Sequence, residues 1–584
     1  MRLLLDLQAA QSHGDSGVGG YVTRCARALM ATGQVERLLL DPRLRFPPEL
    51  PTDLLTSPLL IWSTANAVDS VGDDAAYLIL APTDRAWPTS VLPSHVSRRG
   101  WPVVVLLHAG ATDLDQPRGD LIRQADLVLA ASEEARRDAV DHLGLATEVV
   151  VIVGTGAVGT GAVGEVTWTT VAHRIVEAVR SLGAVPVGPR PRRPARPLIG
   201  VVGPLPPVDS GIATYNGRLL DQLSKLAEVL VFDPMGTASS RDVAYEVASL
   251  PLLETMYNPW SFDHLVYTLG NSVHHVGSIA ALRRHPGVAW LHDVRLTGPA
   301  WAASLRDPDP DRFMADQLAQ LYPGAELLTT PHLRALPGEL AGRGLGMTGR
   351  VVADSTGVIV SSHMAARLLA LDQRPGATLP PVEVIPHPVP NPPLARLPEL
   401  DPPLLVALGI VAAVKSPLIL VEALALVRRS HPAQLAFVGW IGEDWRQAIT
   451  ESAAALGIGD WVTITGEVPD DQYWRWAAKA TVGVQLRSTS YGESSGAVAD
   501  LLALGVPCVT DVAAAGELPE GTVHRLPHGS SSEELAAAIV GLLEEPRRRA
   551  ALSRGCRAEA SRRTFAAAAA DLLGALERLR AARR

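Results

Sequence analysis

The densest set of residues that could do chemistry lies in one loop and helix between two apolar strands. The segment LRSTSYGESSGAVADLLALGVPCVTD occupies Leu486–Asp511. Ser494, Ser495 and Gly496 are predicted to start a helix, and Gly505 has the position of the glycine that follows a helix end. The free N–H groups and the dipole at such a helix start make an anion site that suits a diphosphate.

Two acids accompany this helix start. Glu493 lies just before the helix, and Asp500 follows seven residues later, about two helical turns away. At ~1.5 Å per residue the two carboxylates are on the order of 10 Å apart, the distance across a nucleotide sugar from ribose to hexose. One carboxylate could therefore take the hydroxyls of one sugar and the other those of the second. From the pattern alone, a capped surface helix with solvated acids is an equally open interpretation.

The segment resembles the donor-site signature of glycosyltransferase family 4, whose members have the GT-B fold of two facing Rossmann-like lobes. The family pattern is Glu-x7-Glu on a loop and helix that ends in Gly-Val-Pro, and this chain has Glu493-x6-Asp500. The form QLR…GESSGAVAD resembles a bacterial branch that includes mannosyltransferase-like enzymes. The resemblance implies that Glu493 orients the hexose, that Asp500 contacts the ribose, and that Ser494, Ser495 and Gly496 bind the diphosphate.

A second stretch, ALGIVAAVKSPLILVEAL, resembles the first strand, turn and helix of the family's donor lobe. Lys415 would then contact the diphosphate. The family often has Arg directly after the glycine of that strand, where this chain has Ile410. We therefore expect Arg487 to supply the second cation.

Two further stretches, PLPPVDSGIATYNGRLL and WLHDVRLTG, resemble the acceptor-side lobe of the family. Gly211 would let the backbone approach the transferring sugar and phosphate. His292 would contact the donor sugar, and Asp293 would lie beside it toward the acceptor. A lone histidine at a strand end is more often structural, so these roles come from the resemblance, which covers nearly all of residues 198–584.

The elements that must position these residues follow one rhythm, a short apolar run, a turn with Gly or Pro, and a helical pattern. Continuous apolar strands that alternate with helices predict parallel sheets covered on both faces. We therefore predict an α/β protein of three Rossmann-like domains, the last two forming a GT-B glycosyltransferase. PRPRRPARP cannot form a helix or a strand interior and is predicted to be an extended spacer. The predicted ranges are an N-terminal lobe (1–188), a linker (189–197), an acceptor-side lobe (198–399), a donor lobe (400–563) and a crossover helix (564–584).

The N-terminal lobe repeats part of the chain. DSGVGGYVTR begins at position 15 and DSGIATYNGR at position 209, an offset of 194 residues. The first copy keeps Gly17, Tyr21 and His108, but Ala109 stands where the second copy has Asp293. Nothing like residues 400–563 accompanies the first copy. We predict a degenerate duplicate of the acceptor lobe, without a donor site of its own, that serves an interface or binds acceptor or polymer.

Composition limits the partners. The net charge of −9 argues against a nucleic-acid binder. Three widely separated cysteines give no disulfide framework and no spaced zinc site, so we expect a cytoplasmic protein. No apolar run reaches membrane-spanning length, so at most peripheral contact with the inner face of a membrane is expected. The arginines near the C-terminus lie on helical patterns, and we expect them to form a solvent-exposed helix face. The less favoured alternative is that they contact an anionic membrane or a lipid-linked acceptor.

Two other motifs resemble ligand-binding motifs but are not expected to bind a ligand. GTGAVGTGAVG contains G-x-G-x-x-G after a strand, but no second strand with an acidic end follows, so an NAD site is not expected. DPDPD resembles an Asp-x-Asp metal motif, but its prolines make a stiff acidic turn before a helix. We therefore predict no metal and no cofactor.

Together these observations predict a retaining, metal-independent hexosyltransferase. It would move a hexose, with mannose one candidate, from a GDP- or UDP-linked sugar to a glycan, glycolipid or small-molecule acceptor. Catalysis would come from positioning and from stabilising charge on the departing diphosphate. The alternatives are a GT-B nucleotide-sugar epimerase and a non-catalytic protein for glycan binding or assembly.

Overall fold

The computed structural model describes most of the chain and divides it into two compact units. The described residues are 1–13, 17–41, 48–63, 71, 74–81, 101–108, 116–123, 125–154, 166–184, 196–237, 243–251, 253, 262–323, 340, 342–373, 376–488, 494–511, 515 and 517–582. The first unit comprises Met1–Asp209 and Leu223–Val266, and the second comprises Ser210–Gln222 and Tyr267–Arg584.

The first sheet has seven parallel strands in the order β3-β2-β1-β4-β5-β6-β7. Its central strands are buried along their whole length, which explains their continuous apolar sequence. The strands are β1 (Arg2–Asp6), β2 (Val35–Leu40), β3 (Leu60–Trp62), β4 (Ala75–Leu80), β5 (Val103–Leu107), β6 (Leu127–Ala130) and β7 (Val150–Ile152). The helices described with them are Gln8–His13, Gly17–Ala31, Thr52–Leu55, Gln116–Arg123, Glu133–Leu143 and Trp168–Ala184.

The second sheet repeats the order of the first, β10-β9-β8-β11-β12-β13-β14. Its strands are β8 (Leu198–Val202), β9 (Glu228–Asp233), β10 (Glu246–Ser249), β11 (His264–Leu269), β12 (Val288–Leu291), β13 (Gly357–Val360) and β14 (Val382–Val384). The helices described here are Gly211–Leu223, Val276–Arg284, Thr297–Ser304, Pro310–Leu321, Gly349–Asp354 and His363–Leu371. The repeat seen in the sequence is thus a repeat of sheet topology.

The third sheet has six parallel strands in the order β17-β16-β15-β18-β19-β20. Its strands are β15 (Leu404–Leu408), β16 (Gln434–Val438), β17 (Val462–Ile464), β18 (Val482–Gln485), β19 (Cys508–Thr510) and β20 (His524–Arg525). The helices are Pro417–Val427, Glu443–Ala455, Asp470–Lys479, Gly496–Leu504, Ser532–Glu544, Pro546–Arg562 and Phe565–Ala581. The chain order reverses between β15 and β18, and ligands of such sheets bind at the carboxyl ends of the strands at this switch point.

The prediction of an α/β fold with three Rossmann-like parallel sheets is confirmed. Each sheet falls within one predicted domain range, whereas the exact domain boundaries stay predictions. Residues 189–195 of the predicted linker and residues 155–164 of the glycine-rich repeat lie outside the described residues. No helix in the described ranges is both long and apolar enough to cross a membrane.

The acidic turn DPDPD caps a helix. Asp309 precedes the Pro310–Leu321 helix, and its carboxylate accepts a hydrogen bond from the backbone N–H of Arg312 at 3.1 Å. Proline at the first helical position and an acidic cap are ordinary helix-start chemistry. Across the described part of the chain, no group of three His, Cys, Asp or Glu residues could hold a metal ion.

Candidate functional site

The helix that follows β18 begins where the sequence predicts it. Gly496–Leu504 is helical, and the Ser495 side chain accepts a hydrogen bond from the N–H of Val498 at 3.3 Å. Gly505 has a left-handed φ of 67° and ends the helix. The remaining first-turn N–H groups need partners from outside the helix, so this end can receive an anion. Glu493, the predicted catalytic carboxylate, lies outside the described residues.

Lys415 ends a short turn after β15. Its Nζ donates to the carbonyl oxygen of Leu408 at 2.6 Å. Gly409 has a φ of +81°, and a Cβ there would come 3.0 Å from this Nζ, so glycine keeps room for the ammonium. Burial lowers the pKa of Lys415 to about 7; the charge of Arg487 lowers it too, and Asp500 opposes the change.

Arg487 is fixed beside this turn by its own backbone. Its N–H donates to the Asp511 carboxylate at 2.6 Å, and the next N–H, of Ser488, donates to the carbonyl of Val414 at 2.8 Å. The loop after β18 is thereby joined to the turn that carries Lys415. Two cations therefore lie near each other at the switch point of the third sheet.

Asp500 has a partner that the sequence did not reveal. Its Oδ2 accepts a hydrogen bond from the hydroxyl of Tyr473 at 2.8 Å, while no described residue bonds to Oδ1. Burial raises the pKa of Asp500 to about 6, and Asp470 adds to the rise. The Tyr473 hydroxyl, Arg218 and Lys415 oppose it. The carboxyl is thus held in one orientation with one oxygen left for a ligand hydroxyl.

His292 follows β12 and is enclosed by aromatic rings. Its ring stacks on Trp290 at a centroid distance of 5.7 Å and meets the edge of Tyr215 at 4.5 Å. Burial lowers the pKa of His292 to about 3, with further lowering from His387 and His275. The imidazole is therefore neutral at neutral pH. Its buried Nε2 has no hydrogen-bond partner among the described residues.

Asp293 is held by the backbone of the neighbouring strand end. Its Oδ2 accepts from the N–H of Asn271 at 2.9 Å. Burial raises the pKa of this carboxyl, and the N–H of Asn271 and the charges of Arg295 and Arg487 oppose the rise. Asp293 and Arg487 follow strands of different sheets, so the two strand ends face each other.

Gly211 begins the Gly211–Leu223 helix on the same side. A Cβ at Gly211 would meet no atom within 4 Å, which leaves open space in front of the helix start. Its neighbour Ile212 packs on Gly270, where a Cβ would collide with the Ile212 side chain and come 3.1 Å from Asp293. The glycine loop is therefore next to the strand end that carries Asp293.

Direct hydrogen bonds also join the two sides. The hydroxyl of Ser494 donates to the hydroxyl of Ser361 at 3.2 Å, directly after β13. The Glu517 carboxylate accepts from the N–H groups of His363 and Met364 at 2.9 and 2.8 Å, so it caps the helix that begins there. The carboxyl ends of β12 and β13 thus face the loops after β18 and β19 within the second unit.

Part of the chain that carries the candidate site matches a known protein family. Residues 395–558 match the family model "Glycosyl transferases group 1". This range, which we call the group 1 segment, is thus similar to group 1 glycosyltransferase domains. The group 1 segment contains Lys415, Arg487, Ser494, Ser495 and Asp500 of the predicted site. It also contains Tyr473. No curated protein matches the chain significantly.

Solved structures that are similar to the chain include the following three. Anabaena HepE in complex with UDP and glucose is 15% identical, with a TM-score of 0.43, and 65% of this chain covers 99% of it. Sucrose-phosphate synthase from Thermosynechococcus elongatus is 16% identical, with a TM-score of 0.46, covering 66% of this chain and 100% of that one. A glycosyltransferase from Rickettsia africae is 12% identical, with a TM-score of 0.44, covering 66% and 98%.

The first unit repeats the aromatic cluster around the histidine. Tyr21 and His108 have ring centroids 4.0 Å apart, and Tyr21 and Trp168 lie at 5.1 Å. In the second unit Tyr215 meets His292 and, at 5.5 Å, the ring of Phe565. Ala109, where the first copy lacks the acid, lies outside the described residues.

Several residues of the site were missed by sequence reasoning. Tyr473 and His387 gave no motif signal. Arg218 and Tyr215 did give one, because both belong to the repeated D-S-G-x-x-x-Y-x-x-R segment. Repetition of a tyrosine and an arginine at fixed spacing could have marked them, but in the second copy only Gly211 was assigned a role in the site.

Proposed function

We propose that the chain is a retaining, metal-independent glycosyltransferase that uses a nucleoside-diphosphate hexose. The observation that carries the proposal is the group 1 segment with two neighbouring cations, Lys415 and Arg487, and an open helix start at Gly496. These face a neutral histidine and a half-buried acid on the opposite strand end, His292 and Asp293.

The diphosphate of the donor would lie between the cations and the first-turn amides of the Gly496–Leu504 helix. Bound phosphate charge favours the protonated form of Lys415, whose pKa of about 7 leaves it partly neutral without ligand. The ammonium is already oriented by the Leu408 carbonyl, so little reorganisation is needed on binding. Positioned charge of this kind stabilises a leaving diphosphate.

The sugar would lie between the two strand ends. His292 is neutral and offers one hydrogen bond to a hexose hydroxyl, and Glu493 is assigned to the other side of the ring. We assign the Oδ1 atom of Asp500 to a hydrogen bond with a ribose hydroxyl. In the transfer step the bond from the anomeric carbon to phosphate oxygen breaks, and the acceptor oxygen bonds to the same face. The acceptor proton passes to the leaving phosphate, so no protein nucleophile is required.

The remaining assignments follow from the sequence. The donor would carry UDP or GDP, with mannose the first hexose to test. The acceptor would be a glycan or a lipid-linked sugar, and the protein would work in the cytoplasm with at most peripheral membrane contact. Polysaccharide synthesis is the process that such a reaction serves.

The decisive experiment is a thermal-shift screen with UDP, GDP, UDP-glucose and GDP-mannose, because a ligand of the native state raises its apparent stability. A Lys415→Ala, Arg487→Ala protein should lose the response. Lys479→Ala, a change in the same segment away from the site, should keep it. Unchanged donor affinity in the double variant would refute the cation assignment.

Product analysis then separates transfer from epimerisation. The protein is incubated with the responding nucleotide sugar, first alone and then with a panel of glycan acceptors. Free nucleoside diphosphate that accumulates only with an acceptor, and a product of unchanged anomeric configuration, are expected. Conversion of the nucleotide sugar to its epimer in the absence of acceptor would replace the proposal by the epimerase alternative.

A further inference from the structure

A cleft of about 530 Å³ lies in the second unit, and none of the predicted donor-site residues lines it. Its walls come from the second half of the Gly211–Leu223 helix, residues 389–392, and the junction of the Pro546–Arg562 and Phe565–Ala581 helices. This volume falls within the roughly 300–1,000 Å³ of small-molecule sites. The cleft is therefore large enough for a ligand besides the nucleotide sugar.

The lining combines planar polar groups with apolar faces. A guanidinium, a carboxylate, two carboxamides and two hydroxyls stand among an aromatic ring, two prolines and several alanines. The polar residues are Arg218, Asp221, Gln222, Asn391, Ser561 and Thr564. One cation and one acid balance, so the cleft does not select a strongly charged ligand. Its many donors and acceptors suit a neutral polyhydroxy compound.

Arg218 is a polar group of the cleft with unused hydrogen-bonding capacity. It is half-buried, and no described residue accepts a hydrogen bond from its guanidinium. Five N–H donors in a planar fork match pairs of neighbouring hydroxyl groups. Phe565, whose other neighbour is Tyr215 at 5.5 Å, contributes an apolar ring to the wall. A ring face beside a polar fork matches the alternating C–H and O–H surfaces of a sugar.

We propose that this cleft is a carbohydrate-binding site in addition to the nucleotide-sugar site. Its ligand is a neutral oligosaccharide whose hydroxyls bond to Arg218, Gln222 and Asn391 and whose apolar face packs on Phe565. The proposal does not depend on transfer, since the cleft would hold a glycan without a donor. The protein would then bind a glycan at this cleft as well as at the site of transfer.

The test uses one blocking change and one matched control. Ala566 is exposed and lines the cleft, and Ala570 is an exposed alanine of the same helix that does not. Binding of maltotriose, cellotriose, mannotriose and chitotriose to the full chain is measured by saturation-transfer NMR. At least one trisaccharide should bind to the unaltered protein and to Ala570→Trp, and its signal should fall at least tenfold in Ala566→Trp.

Two further measurements make the result decisive. Ser561→Trp, which fills the cleft from the other helix, repeats the block if Ala566→Trp does not fold. The response to UDP and GDP should be the same in all these proteins. Failure of all four trisaccharides to bind, or binding that survives both blocks, would overturn the proposal. So would binding of inorganic phosphate alone, because the cleft would then be an anion site.

Discussion

Replacing Asp500 by asparagine should change how stability depends on pH. Asp500 is half-buried against Tyr473, and removal from water raises its pKa from 3.8 to about 6. Asparagine has nearly the same shape and its carbonyl oxygen can still accept the hydrogen bond from the tyrosine hydroxyl. The exchange therefore removes the titration and leaves the packing.

The rise in pKa sets the magnitude and the sign. At ~1.4 kcal/mol per pKa unit, a rise from 3.8 to about 6 corresponds to about 3 kcal/mol. Between these values the unfolded chain has lost the proton and the folded chain still holds it. Stability that Asp500 contributes below pH 3.8 is therefore lost as the pH rises through about 6. Asp500→Asn escapes this loss and should be the more stable protein at pH ~7.

The assay is the thermal midpoint of both proteins across this pH range, at constant ionic strength. The midpoint of Asp500→Asn minus that of the parent should rise by a few degrees between pH ~4 and ~7 and then level off. Asp444→Asn, a change of an exposed acid at another helix start, is the matched control and should not reproduce this rise. A flat difference for Asp500→Asn as well would refute the burial that underlies the assignment.

Three further changes test other parts of the site. Donor affinity should weaken as pH rises through about 7, because Lys415 then loses its proton. Isothermal titration calorimetry of Lys415→Arg should find no such loss of donor affinity over the same pH range. Gly211→Val should abolish transfer without unfolding the protein, since the new Cβ would point into open space. The matching change in the first copy, Gly17→Asn, should leave the rate of product formation unchanged, because asparagine tolerates the φ of +51° at this position. Ser495→Ala should cost about 1 kcal/mol and weaken diphosphate binding, while Ser531→Ala, which removes a cap elsewhere, should lower the thermal midpoint alone.

The fold was predictable because its signals are local. A strand such as β4 is buried along its whole length, and its continuous apolar sequence predicts this burial. The helix at Gly496–Leu504 is marked at one end by a serine cap and at the other by Gly505. Each mark depends on a few neighbouring residues, so the sequence alone is enough.

The interior of the site was less predictable because its partners are distant in the chain. Tyr473 and Asp500 are 27 residues apart on two helices, and only the packing of those helices brings the hydroxyl to the carboxylate. The pKa of Lys415 likewise depends on Arg487 and on burial, which no motif encodes. A motif identified the residue types, and the tertiary structure set their charge states.

The repeated segment places a tyrosine and an arginine in two different settings. In the first unit the guanidinium of Arg24 lies 6.0 Å from the ring centroid of Trp168, so its neighbour is an aromatic ring of the same lobe. Arg218, at the equivalent position, instead acts on the Asp500 carboxyl of the group 1 segment and lines the large cleft. The same motif thus packs on an aromatic ring in one copy, whereas in the other the charge of its arginine lowers the pKa of a helical carboxyl in the group 1 segment. This difference favours the prediction that only the second copy contributes to transfer, since the first copy has no counterpart of the segment that carries Asp500.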